Sequence, residues 1–235
     1  IDLCGLNTPR KSAALFARLQ ALNPDILVLG GDYTSESLFD VLNRGADSPA
    51  DAEKRERART DFFHYVSGFS APLGKYAIAA PEDGDPSALS ALMSECGFTP
   101  LIDERVAIAL GGDKLWLCGI SSDRMRGAGS AFRREDCAVA VAWGPAAFPA
   151  ILTGEAADGG PWADLLLAGH THGGQLRLLG RSALPLTEIE NRYAAGWHTE
   201  NGVPVLLTSG VGCEGANLRL GSKPEVWLIT LEAAA

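Results

Sequence analysis

The strongest constraint on how this chain folds is a pair of short apolar runs that break on glycine. Asp25-Ile26-Leu27-Val28-Leu29 leads straight into Gly30-Gly31-Asp32-Tyr33, and Leu165-Leu166-Leu167-Ala168 into Gly169-His170-Thr171-His172-Gly173-Gly174-Gln175. Runs this short, apolar throughout and closed by glycine, predict buried strands that deliver polar side chains onto glycine-rich loops. Residues two apart in an extended segment point the same way, so His170 and His172, two of the chain's four histidines, are expected to converge on one site. Neutral imidazole is the commonest protein ligand for metals.

The flanking sequence reads as alternating helix and strand. Residues 10–22 carry Leu15, Leu19 and Leu22 on one helical face and stop at Asn23-Pro24. Residues 51–67 form a second helix with an aromatic end (Phe62, Phe63, Tyr65), where His64 is expected to line the core or a groove. Residues 87–96 form a third, ended by Gly97. Strands are predicted over 75–80, 104–110 and 114–119 (the last two joined by Gly111-Gly112-Asp113) and over 139–142. Residues 121–136 read as a polar surface loop whose arginines (Arg124, Arg126, Arg133, Arg134) are solvated or meet an anionic ligand. The last third reads as strands near 175–179, 192–198, 203–208 and 225–231, without a helix. Helices early, strands late and no Pro/Ser-rich linker predict one α/β (α+β) domain over residues 1–235, with two packed sheets flanked by helices.

Composition narrows the partners. With 46% hydrophobic and 21% charged residues the 235-residue chain can bury a sizeable core, and a net charge of −9 argues against nucleic acid or an anionic membrane as partner. An acidic protein still binds a phosphate ester if a metal ion supplies the local positive charge. Cys4, Cys96, Cys118, Cys137 and Cys213 are odd in number and scattered, which reads as free thiols in a reducing compartment. No apolar run is long enough for a transmembrane helix. The chain opens inside an apparent strand, Ile1-Asp2-Leu3, so an upstream segment is expected. It would leave the protein either cytoplasmic or membrane-associated through that segment.

The order Asp2-Leu3, then Gly30-Gly31-Asp32, then Gly169-His170-Thr171-His172-Gly173-Gly174-Gln175 resembles the calcineurin-like metallophosphoesterases. The likeness is greatest to the bacterial branch that includes UDP-2,3-diacylglucosamine pyrophosphohydrolase relatives. The tail agrees, through Ser209-Gly210-Val211-Gly212, Leu218-Arg219-Leu220-Gly221 and Pro224-Glu225-Val226. The resemblance implies a four-layer sandwich of two mixed β-sheets flanked by helices. It also implies two divalent metals (Mn, Fe or Zn) about 3.5–4 Å apart that clamp a phosphate and activate water. In that scheme Asp32 bridges the metals, Asp2 and His172 hold the first, and His170 holds the second.

This chain departs from the scheme at four positions. Cys4 stands where the family's opening motif has histidine, and Pro81 and Glu82 replace an asparagine ligand and a histidine. Trp143, which offers only an N–H donor and enough bulk to fill the pocket, replaces a further histidine. Asp32 and His170 alone are too few for a second metal unless Glu82 or Asp83, the weak catalytic candidates, swing in. Asp2, Cys4, Asp32 and His172 provide four donors for a first, as in tetrahedral zinc, but four protein ligands leave no place for a catalytic water. The expectation is a degenerate family member with at most one metal, a pseudoenzyme keeping a pocket for a small phosphorylated ligand. The alternatives are a hydrolase with one metal or an altered pair, and a structural zinc site.

Overall fold

Consecutive residues of a strand face opposite sides, and in this protein each side meets a different core. The computed structural model describes residues 9–33, 49–121, 128–179, 181–182, 186–214 and 218–232. Its three-stranded sheet contains β1 (Leu27–Leu29), β2 (Lys75–Ala77) and β3 (Thr99–Pro100), in that order and all parallel. A six-stranded sheet contains β4 (Arg105–Leu110), β5 (Asp113–Ile120), β6 (Cys137–Ala142) and β7 (Leu165–Ala168). A hairpin of β8 (Arg177–Leu178) and β9 (Arg181–Ser182) follows, and β10 (Gly196–Glu200) and β11 (Val203–Leu207) complete the six-stranded sheet. Its order is β10-β11-β7-β6-β5-β4, parallel from β11 to β5 and antiparallel at both edges.

Alternation assigns the layers. Val139 and Val141 of β6 and Leu165 of β7 face Tyr76 and Ile78 across the gap between the sheets, joined by Ile108, Leu115 and Leu117. Ala138, Ala140 and Ala142, with Leu166 and Ala168, face the other way, toward Phe132, Phe148, Trp162 and Tyr193. Phe148 belongs to the short helix α4 (Phe148–Leu152). On the outer face of the small sheet, Leu29, Ala77 and Ala79 are covered by Phe16 of α1 (Pro9–Gln20), Phe62, Phe63 and Val66 of α2 (Pro49–Ser67), and Leu89 and Met93 of α3 (Pro86–Glu95). The result is the expected four-layer arrangement of two sheets flanked by helices. The larger sheet is mixed, while the three described strands of the smaller are all parallel.

Several local expectations are corrected. A helix, α5 (Glu188–Arg192), precedes β10 where the sequence reading had no helix. Five residues are too few to show a period, yet a reciprocal cap between Thr187 and Glu190 stabilises them (Glu190 N–H to Thr187 Oγ1, 3.3 Å; Thr187 N–H to Glu190 Oε2, 2.7 Å). Phe132, read as surface loop, is buried and stacked on Trp162 with centroids 5.3 Å apart. His64, read as core or groove lining, is exposed, because Phe62, Phe63 and Val66 take the buried face of α2 and leave its Nδ1 3.6 Å from Cys96 Sγ. Residues 225–231 pair with no strand among the described residues, although Ile229 packs against the inter-sheet cluster. Cys96, Cys118, Cys137 and Cys213 are free thiols, and among the described residues no helix is long and apolar enough to cross a membrane. Arg124 and Arg126 lie outside the described residues.

The link from the small sheet to the large one runs past β5 at Gly119. A Cβ there would lie 1.8 Å from Leu101 O and 2.5 Å from Leu101 Cβ. Leu101 cannot retreat, because its N–H is bonded to Ala77 O at 2.8 Å and its side chain is 1% exposed between the sheets. Gly119→Ala is therefore expected to destabilise the fold by at least about 2 kcal/mol. Urea denaturation checks this, and an unchanged midpoint would contradict the close approach.

Candidate functional site

Four parallel strands end at one place. β1 runs into Gly30-Gly31-Asp32, β2 into the turn Pro81–Asp83, β6 into Trp143-Gly144, and β7 into Gly169-His170-Thr171-His172. Parallel strands converge their carboxyl ends, and polar side chains excluded from a doubly covered sheet collect on the loops beyond. The backbone there is held in uncommon geometry. Asp32, His170, His172 and Gln175 all lie at positive φ (58°, 72°, 51° and 27°), which non-glycine residues adopt only when their surroundings enforce it.

Asp83 supplies much of that enforcement. Its carboxylate is fully buried and accepts three backbone N–H bonds, from Tyr33 (2.6 Å), Ala80 (2.8 Å) and Asp32 (3.2 Å). Burial pushes its carboxyl up to about 6, the bonds from Ala80 and Tyr33 oppose that, and the nearby Asp32 carboxylate adds to it. Arg59 donates to the Asp83 carbonyl, and the Tyr33 hydroxyl donates to Ile78 O at 2.8 Å, so the loops after β1 and β2 are tied as one unit. Both Asp83 oxygens are engaged by backbone. Glu82, beside it, lies at the exposed rim; partial desolvation of its carboxyl and the charges of Asp32 and Glu214 raise it, against the pull of its own backbone N–H and of His170.

The structure brings Asp32, His170 and His172 together as the sequence suggested. Asp32 Oδ2 lies 4.0 Å from His170 Nδ1 and 4.0 Å from His172 Nε2. Hydrogen-bond accounting sets the tautomer of His172. Gln175 Oε1 accepts the Glu214 N–H at 2.7 Å, and Gln175 Nε2 donates to Glu214 O at 2.8 Å, so the amide has one orientation. Its Oε1 therefore also accepts from His172 Nδ1–H (3.0 Å), and the Nε2 lone pair is left facing Asp32. Burial lowers the His172 pKa to about 4, the Gln175 bond and Asp32 oppose that, and Arg219 reinforces it, so the ring is neutral at neutral pH.

The loop is fixed from behind by the tail. Arg219 donates to the carbonyls of Gly212 (Nε, 2.7 Å), His172 (Nη1, 3.1 Å) and Ser209 (Nη2, 2.7 Å), and the Ser222 hydroxyl donates to His172 O at 2.6 Å. Arg219 is thus committed to carbonyls. Among the described residues, Asp32, Glu82, His170 and His172 are neighbours at this centre, with Glu190 beyond His170 and Glu214 near Glu82.

Trp143 stands against this centre. Its indole N–H donates to Asp32 Oδ1 at 2.8 Å, and its ring lies on His170 with centroids 3.9 Å apart and a 44° tilt. A Cβ on Gly31 would come within 3.2 Å of Trp143 Cδ1 and of Ala80 N, so glycine at that position admits the indole. His170 is held on its far side by Glu190, whose Oε1 is 3.1 Å from His170 Nε2. Sequence reasoning missed Glu190; Thr187-x-x-Glu190 is a legible capping signature, but nothing in it points to His170. His198 sits apart, against Tyr193 with its Nε2 3.3 Å from Ala195 O. Asp2 and Cys4 lie outside the described residues.

Asp32 Oδ2 and His172 Nε2 present lone pairs suited to Mn, Fe or Zn. On the other side of Asp32 the Trp143 indole supplies a hydrogen-bond donor to Oδ1, where a cation would need an acceptor, and the Pro81 side chain has no ligand atom. Among the described residues, no three His, Cys, Asp or Glu side chains are grouped closely enough to hold an ion as they stand.

Layered sheets whose parallel strands end at a cluster of aspartate and histidine loops define a metallophosphoesterase-like protein. Over 217 residues the chain is 30% identical to Phosphodiesterase YaeI of Escherichia coli (strain K12), an alignment spanning 88% of this chain and 70% of that protein. The chain belongs to the same phosphoesterase family as YaeI. Among solved structures it is similar to the sulfate thiohydrolase SoxB of Thermus thermophilus in complex with glycerol (TM-score 0.47, 17% identity, 83% of this chain). It is also similar to the NAD nucleotidase NadN of Haemophilus influenzae (TM-score 0.44, 15% identity, 85% of this chain). It spans only 36% and 43% of those two chains. No protein-family model matches the chain.

Asp83→Ala would leave three N–H groups of the site loops without their acceptor. It is expected to destabilise the protein by about 3 kcal/mol or more. Urea unfolding measures this, and a loss under about 1 kcal/mol would show that the carboxylate does not clamp the loops.

Proposed function

We propose that this phosphoesterase-family protein has given up two-metal catalysis and keeps its loop cluster as a binding site for a small phosphorylated ligand, assisted by at most one divalent cation. The observation that carries this reading is the Trp143 indole, which satisfies Asp32 Oδ1 by hydrogen bond and lies on His170. Asp32 and His172 would hold the cation, joined by Asp2 and Cys4 if the family's order is followed. When bound, the cation supplies positive charge against the phosphate oxygens. The residues themselves explain why it is needed. Among the described residues the centre is lined by carboxylates and Arg219 is spent on carbonyls, so these groups would repel a bare phosphate. His172 presents a neutral lone pair, Gln175 holds the ring, and Trp143 occupies Asp32 Oδ1.

The test pairs elemental analysis with two probes. After equilibration with Mn²⁺ or Zn²⁺, the protein is expected to retain no more than one ion per chain. It should bind inorganic phosphate only with the ion present, and turn over bis(p-nitrophenyl) phosphate no faster than the metal-only blank. Two retained ions with turnover would overturn the reading.

A second measurement tests the assignment of the lost ligands. The combined variant Cys4→His, Pro81→Asn, Glu82→His and Trp143→His is expected to retain more metal than the wild type. Unchanged metal content in a folded variant would sink that assignment.

A further inference from the structure

Away from the loop cluster, α4 and α5 meet over the outer face of the six-stranded sheet. Each has five residues, little more than one turn, and together they leave a gap. The gap is a cavity of about 360 Å³, a size typical of ligand pockets. Phe148 and Tyr193, both buried and set edge to face with centroids 5.0 Å apart, line it with Leu152 and Ile189. Glu188 and Arg192 supply its charged lining. The walls are pinned by bonds that do not cross the opening. The Asn201 amide donates to Leu152 O at 3.2 Å, which ties the end of α4 to the turn between β10 and β11. The Arg192–Glu200 ion pair at 2.7 Å ties the end of α5 to β10. A cavity held open in this way needs little reorganisation to be filled.

The charges of the lining do not balance. Glu188 precedes Arg192 by four residues, the spacing at which the two would pair along a helix. Arg192 instead turns to Glu200, with its guanidinium carbon 5.1 Å from the centre of the Tyr193 ring. Glu188 has no hydrogen-bond or ion-pair partner among the described residues. Arg192 and Glu200 cancel, which leaves one negative charge beside an apolar floor.

We propose that this cavity is a second ligand site, which takes a small organic amine with an aromatic or branched apolar body. The body lies against Phe148, Tyr193, Leu152 and Ile189, and the ammonium donates to the Glu188 carboxylate. A carboxylate or phosphate in the same place would meet Glu188 without compensation, since Arg192 is already paired. The cavity shares no lining residue with the centre around Asp32. Glu188, Ile189 and Arg192 occupy one face of α5, whereas Glu190, which meets His170 at 3.1 Å, leaves the helix in another direction. The amine is thus a ligand separate from the phosphorylated one, and its site does not depend on the reading of the loop cluster.

The test is amide NMR of the full ¹⁵N-labelled chain, titrated with phenethylamine at neutral pH and low salt. Saturable shifts are expected at residues 148–152 and 187–193, with a dissociation constant on the order of 1 mM. Phenethyl alcohol and hydrocinnamate keep the ring but lose or reverse the charge, and should bind at least about fivefold more weakly. Glu188→Gln should bring the amine down to the level of the alcohol, and because Glu188 is exposed this variant keeps the fold. Leu152→Trp, which fills the cavity, should abolish the shifts. Absence of saturation up to about 10 mM amine would overturn the inference, as would shifts centred on the Asp32 and histidine loops. Equal binding of amine and alcohol, or unchanged affinity in Glu188→Gln, would overturn it as well.

Discussion

A strand buried on both faces has nowhere to place a polar side chain except beyond its ends. β6 and β7 send alternate residues into the inter-sheet core and into the outer layer, and both destinations are apolar. The parallel pairing of β1 with β2, and of β6 with β7, then brings their carboxyl ends to one edge. Four loops meet there, each carrying what its strand could not. The position of the site is therefore a consequence of how the core is filled.

At that edge a set of buried hydrogen bonds holds the loops. Asp83 gathers the backbone of two loops onto one buried carboxylate, and Arg219 gathers carbonyls from the histidine loop and the tail. These bonds sustain the positive φ angles at Asp32, His170 and His172. Strain concentrated in this way marks a site built to hold side chains in one pose. The pose is shared between two kinds of partner: Asp32 Oδ2 faces the two histidines, whereas Oδ1 is taken by the indole of Trp143. An indole hydrogen bond leaves the carboxylate its full negative charge, whereas a cation at that oxygen would neutralise it.

Much of this was legible in the residues themselves. Short apolar runs closed by glycine marked β1 and β7, and the motif around His170 and His172 marked the loop that carries the site. Pro81 and Trp143 were readable as chemically unfit for metal ligation, because side-chain chemistry does not depend on the fold. Other features were hidden for physical reasons. A five-residue helix such as α5 spans too little of a turn pattern to register as periodic. Phe132 sits in a polar stretch, and only its stacking on Trp162 reveals it as core. His64 follows two buried aromatics, yet the rotation of α2 turns it outward.

The sequence by itself determined the strand-and-loop pattern, the acidic character, the aspartate and histidines of the site loops, and the presence at Pro81 and Trp143 of side chains without a metal-ligating lone pair. These follow from residue type and local spacing. Only the tertiary structure decided that Asp83 is a buried clamp, that Trp143 bonds to Asp32, that Gln175 is fixed by Glu214 where it meets His172, and that Glu190 meets His170. Each of those depends on a hydrogen bond whose partner is set by chain crossing. The Trp143 bond to Asp32 spans 111 residues, and no local pattern encodes a partner at that distance.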